Sequence, residues 1–223
     1  MLDSPHARPC HRSIIAVDVE GSTALTDPSK GCLRRSMYAM FEQALYAAGL
    51  TGPYRDPFLD RGDGVLALIH PVDHAPKTVL LDTVVPTLGT LLAEHNRRHP
   101  AQRFRLRVVV HAGEVTFDDN GCFGEALDVA FRLLGAGPVK RILGGTDAPM
   151  VLVASDEVHR SVIRHGYDGI DPNAFRRLPL PRASCLVPSG WVRVIEAPQS
   201  LPRRSGDVVA RIEDYRATGG SRL

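Results

Sequence analysis

The run Ser13-Ile14-Ile15-Ala16-Val17-Asp18-Val19 constrains this chain more than any other segment. It is too short for a buried helix and rich in β-branched residues, so it predicts a buried central strand. One carboxylate, Asp18, interrupts it. A carboxylate in an apolar strand is costly unless it is paired, bound to a cation, or set at the strand end, where it caps the next loop. Residues 20–31 are loop chemistry, and the residues ahead of the strand, 1–12, read as a flexible lead.

Hydrophobic periodicity organises the chain beyond that loop. Met37, Met40, Phe41, Ala44, Leu45 and Ala48 recur at helical spacing, and Gly49 stops the helix. Residues 54–59 and 65–70 flank Asp60-Arg61-Gly62-Asp63-Gly64 and predict a β-hairpin. A long helical pattern from Leu80 to His95 contains Pro86, which predicts a kink or two abutting helices. In 104–113 a strand places Phe104, Leu106, Val108 and Val110 on one face and Arg103, Arg105 and Arg107 opposite; 113–117 reads as its partner strand. Residues 124–134 are helical, with 135–138 ending the helix. Residues 150–155 form a strand whose Ser155 caps the next helix, and 175–180 with 191–197 close the domain as paired strands.

This order predicts an α+β fold, a ferredoxin-like βαββαβ-type sheet with helices on one face and a C-terminal extension. The chain has 223 residues, 43% apolar and 23% charged, enough for one domain with a real core over 13–196. Residues 197–223 read as a disordered Arg-rich tail, solvated because acidic residues balance the arginines. A net charge of +2 gives no basic stripe for nucleic acid, and no apolar run is long enough for a membrane span. The start of the chain lacks a secretory h-region, so a cytoplasmic protein is expected. Cys10, Cys32, Cys122 and Cys185 are too scattered for a zinc site or a disulfide scaffold.

Three places could carry chemistry. Asp18 and Asp63 each end or turn a strand; singly they are capping and turn residues, while together they would suit a hard divalent cation. Asp128 and Arg132 stand at i, i+4 on a helix, as a surface ion pair or as a phosphate-stabilising Arg with its neighbour. His95 and His99 share that spacing without the Glu of a zinc helix, and they decorate a helix C-terminus.

In order along the chain, "SIIAVDVEGSTAL", "DRGDGVLAL", "RVVVHAGEV" and "GCFGEALDVAFRLL" resemble the class III nucleotidyl cyclase domain, over roughly 13–135 with a continuation to about 196. The resemblance is nearest to stand-alone or regulatory cyclase-like domains of actinobacteria. It implies that Asp18 and Asp63 hold two Mg²⁺ or Mn²⁺ ions, and that Val19, Glu20, Gly21, Ser22 and Thr23 cradle a triphosphate. It implies that Arg132 stabilises the pentavalent phosphate and that Asp128 stands where the family has a ribose-orienting Asn. His111 matches a family histidine but reads as a packed strand-end residue. The base-reading positions fall on Leu59 and Gly121, neither of which can hydrogen-bond a purine edge, so a pyrimidine or relaxed selectivity is open. The implied activity is conversion of a nucleoside triphosphate to a 3′,5′-cyclic nucleotide and pyrophosphate at a homodimer interface. The alternatives are an inactive, nucleotide-binding or dimerising pseudo-cyclase, and a structural partner for an operon-encoded signalling or defence protein.

Overall fold

A computed structural model describes residues 8–178 and 189–197. Residues 1–7 of the lead, Cys185, residues 179–180 of a closing strand and residues 198–223 of the tail lie outside the described residues. The elements run β1 (Cys10–Val19), α1 (Asp27–Ala47), β2 (Leu59–Asp60), β3 (Gly64–Ile69), α2 (Lys77–Val79), α3 (Val85–Arg98), β4 (Leu106–Asp118), β5 (Gly121–Phe123), α4 (Glu125–Leu134), α5 (Gly137–Gly144), β6 (Met150–Ser155), α6 (Asp156–Ser161), β7 (Arg176–Arg177) and β8 (Gly190–Ile195).

One sheet carries the fold, in the order β2-β3-β1-β4-β6-β8-β7, with β5 hanging from β4. The predicted central strand is central: β1 is hydrogen-bonded antiparallel to both β3 and β4. The β4–β6 pair is parallel. Alternation along β1 sends Ile15, Val17 and Val19 to one face, against Met37, Phe41 and Leu45 of α1 and Leu88 and Leu92 of α3. Ile14 and Ala16 go to the other face, against Ala130, Leu133 and Leu134 of α4 and Val139 and Leu143 of α5. The α+β sheet is as expected, but helices cover both faces rather than one. A strand apolar on both sides needs two covers, and α4 and α5 supply the second.

Other departures have local causes. The first hairpin strand shrinks to Leu59–Asp60, because Tyr54 closes a short helical turn over Gly52–Tyr54 and Pro57 cannot donate to a ladder. Residues 113–117 do not turn back but extend β4 to Asp118, and β5 is the partner, with Thr116 opposite Phe123 and Asp118 opposite Gly121. The stop expected at 135–138 is also a start: Pro138 sits in the first turn of α5, where its missing N–H costs nothing. Pro86 likewise falls in the first turn of α3, behind a wide helical turn over Leu80–Val84, so two helical segments abut there. Ser155 accepts the Val158 N–H and caps α6 as predicted.

Candidate active site

The register places three residues in one row across the sheet: Gly64 of β3, Asp18 of β1 and Arg107 of β4. Gly64 is required there, since a Cβ at this position would lie 2.4 Å from the Val17 carbonyl oxygen. By alternation Asp18 follows Ala16 to the α4 side of the sheet. There its Oδ2 accepts a hydrogen bond from Nη2 of Arg107. Both side chains are largely buried, 20% exposed for Asp18 and 10% for Arg107. Burial pushes the Asp18 carboxyl above the usual carboxylate range; Arg107 pulls it back and the negative charge of Asp63 pushes it further up. Arg107 is a residue that the strand pattern set on the arginine face without a role.

Asp63 joins this end of β1 from the hairpin. Its main-chain oxygen accepts the Val19 N–H at 3.2 Å, and its Oδ2 accepts a hydrogen bond from the Ser22 hydroxyl. Gly21 turns the chain here in the left-handed conformation, φ 68°. The Glu20 N–H is taken by the Arg105 carbonyl at 3.0 Å. The Glu20 carboxylate is gripped by Arg105, whose guanidinium also donates to Leu143 O at 2.9 Å and Thr146 O at 2.6 Å. The N–H groups of Gly21, Ser22 and Thr23, by contrast, have no acceptor among the described residues. Ser22 and Thr23 line a cavity of about 390 Å³ with Lys30, Arg34, Gly62 and Asp63, while Gly21 borders a neighbouring one with Glu20 and Arg105. Lys30 faces Asp27 at 3.9 Å, a loose pair, while Arg34 makes a forked pair with Asp60. Sequence reasoning passed over Lys30 and Arg34; their i, i+4 spacing on the helix after the loop was the available signal.

The remaining site residues stand elsewhere. Asp128 and Arg132 are one turn apart on α4 and both exposed. Phe131 turns inward between them and lines a cleft of about 310 Å³ with Asp18, Arg61, Gly64 and Leu134. The Arg61 guanidinium lies 4.7 Å over the Phe131 ring. Leu59 pairs with Leu66 and packs on the apolar cluster under α4, and Cys122, beside Gly121, packs on that same cluster. Gly121 has φ 137°, a backbone region in which side chains are strained. His111 is buried, with Ser155 Oγ 2.7 Å from Nδ1, and is a packed residue as expected. His95 touches Gln102 O, and its ring packs on His99 and Phe104. Among the described residues no group of three or more His, Cys, Asp or Glu is placed to hold a metal. Asp18 and Asp63 are two carboxylates close enough for the charge of Asp63 to raise the Asp18 carboxyl. All-oxygen donors of that number fit Mg²⁺ or Mn²⁺, which complete their shell with water and phosphate oxygens.

No family model and no curated protein sequence matches the chain. Solved structures do. The adenylate/guanylate cyclase/hydrolase from Silicibacter pomeroyi is 19% identical, with a TM-score of 0.60, covering 86% of this chain and 100% of that one. The guanylyl cyclase Cya2 is 16% identical, with a TM-score of 0.58 and coverages of 86% and 95%. This chain has the class III nucleotidyl cyclase fold. The guanylate cyclase domain of RhGC from Catenaria anguillulae, solved in complex with GTP, shares the cyclase fold at 14% identity, with a TM-score of 0.54 and coverages of 83% and 97%. No helix among the described residues is long and apolar enough to cross a membrane.

Proposed function

We propose that this chain is a nucleotidyl cyclase that converts a nucleoside triphosphate to a 3′,5′-cyclic nucleotide and pyrophosphate. The observation that carries the reading is the convergence of Asp18 and Asp63 beside Ser22 and three N–H groups without an acceptor among the described residues, on a cyclase fold. Asp18 and Asp63 would hold Mg²⁺ or Mn²⁺. Bound there, the ions would acidify the ribose 3′-hydroxyl and neutralise phosphate charge. The N–H groups of Gly21, Ser22 and Thr23 and the ammonium of Lys30 receive phosphate oxygens. The 3′-oxygen then forms a bond to the α-phosphorus, its proton passes to water, and the bond to the bridging oxygen breaks to release pyrophosphate. Arg132 offers its guanidinium to the charge that builds on the α-phosphoryl oxygens, and Asp128 accepts a ribose hydroxyl.

The outward stance of Asp128 and Arg132 on α4 supports a homodimer in which these residues serve the partner's carboxylates. Leu59 and Gly121 bring no donor or acceptor to the base, so selectivity is relaxed or set by pyrimidine size. The test is incubation with each of the four triphosphates and Mn²⁺ or Mg²⁺, with products read by mass spectrometry. A cyclic nucleotide that disappears in Asp63→Ala supports the reading. A specific observation favours a second reading, a pseudo-cyclase: Asp128 sets an acid beside the phosphates where the resembled family has an amide. Triphosphate binding without any product in that assay selects it.

A further inference from the structure

The pairing of Asp18 with Arg107 bears on how the proposed metal site fills, provided that Asp18 is a metal ligand as read above. Asp18 and Arg107 are directly opposite in the β1–β4 register, so the pair is fixed by the sheet rather than by two mobile side chains. Arg107 is 8% exposed as a residue, which leaves little solvent to share its charge. Its Nε is buried with no acceptor among the described residues, so the guanidinium is incompletely satisfied where it lies. Its printed partner is Asp18, and Asp18 in turn lines a cleft with Arg61, Gly64 and Phe131 of α4. A guanidinium so placed neutralises Asp18 at contact range. A divalent ion that approached the carboxylate would meet a positive charge already seated there.

We propose that Arg107 is a built-in counter-cation for Asp18, so that Asp18 becomes a full metal ligand only when Arg107 lets go. The free protein then holds divalent ions weakly even with both carboxylates in place. Arg107 acts through Asp18 and is a positioning residue. Parting a buried pair is costly unless another charge replaces the partner; here a divalent ion would replace Arg107 at Asp18, and the Nε that lacks a partner in the paired geometry is one contact the guanidinium does not lose on release.

The experiment is Mn²⁺ binding to the nucleotide-free protein, read by the electron paramagnetic resonance signal of unbound Mn²⁺. Arg107→Met keeps length and removes charge, and it should bind Mn²⁺ about tenfold tighter than wild type or better, the effect of one contacting charge. Arg107→Lys keeps the charge and should bind like wild type. Adding Asp18→Asn to Arg107→Met should erase the gain. Equal or weaker Mn²⁺ binding by Arg107→Met overturns the proposal while leaving the metal site intact. If neither Asp18→Asn nor Asp63→Asn alters Mn²⁺ binding with triphosphate present, the metal reading itself fails and the proposal goes with it.

Should Arg107→Met not fold, the wild-type protein carries the test. The ¹⁵N side-chain resonance of Arg107, assigned by its loss in Arg107→Lys, should shift as Mg²⁺ saturates the protein. A resonance that stays in place at saturation overturns the proposal.

Discussion

At pH 7 the imidazole of His111 is neutral, and its surroundings keep it so. The ring is buried on β4, and Ser155 serves two neighbours at once: its oxygen accepts the Val158 N–H at 3.3 Å while its hydroxyl faces Nδ1. Burial lowers the pKa from 6.5 to about 4, with Glu157 pulling it up and Lys77 and His11 pushing it down. Between those values the unfolded chain binds a proton that the folded chain refuses. Stability is therefore fully present above about pH 6.5 and is lost as the pH falls toward about 4. The loss integrates to ~3 kcal/mol, a large share of the stability of an ordinary domain. His111→Gln removes the titration and leaves a side chain that can still meet Ser155. Urea unfolding at a series of pH values from 7 to about 4.5 gives the two stability curves. Carboxylates titrate alike in both proteins and cancel in the difference. Wild type should lose ground to His111→Gln by up to ~1.4 kcal/mol per pH unit inside the window. Parallel curves would refute the reasoning, because they would mean that the buried ring takes up its proton as easily as an exposed one.

Three further outcomes are expected. Gly64→Ala should destabilise the protein by about 3 kcal/mol, or on the order of 10 °C in Tm by calorimetry, since the new methyl meets the Val17 carbonyl and must push β1 from β3. ATP and GTP should differ in kcat/KM by less than about a thousandfold, and Gly121→Asp should not sharpen the choice because its backbone region strains a side chain; a wider gap in steady-state assays contradicts the apolar base positions. Asp63→Ala and Arg132→Ala should each cost about 10²–10³ in rate, and after subunit exchange a mixture should regain roughly a quarter of wild-type activity, because half the dimers hold one intact site; heterodimers that form and stay dead refute a shared site.

Much of this fold is legible along the chain because its signals are local. The apolar run at 13–19, the Gly-Asp-Gly turn and the stripe of α4 each declare themselves within a dozen residues. That run also carried the sign of the second helical layer, since Ile14 and Ala16 are as apolar as Ile15 and Val17. Helix α5 was hidden because Gly135 ends α4 and, two residues on, Gly137-Pro138 opens α5, so one Gly/Pro cluster carries both a stop and a start. The residues of the proposed site could be named from the sequence, but the pairings they make could not. Nothing local links Asp18 to Arg107, 89 residues away, or Ser22 to Asp63, 41 residues away. Those partners follow from strand register, and register is a property of the whole sheet.

The row Gly64–Asp18–Arg107 also bears on how the chain reaches its folded state. Its three members come from distant parts of the sequence, so no nascent hairpin or isolated helix contains a partial version of it. Closing such long loops is entropically unfavourable until the central strand has both neighbours, which places assembly of this row late on the pathway. On the proposed function, a collapsed intermediate with native helices but unpaired β1 would not bind a triphosphate. In a refolding experiment, ligand-induced protection should therefore emerge with the slowest strand-pairing phase, well after helical circular dichroism has returned.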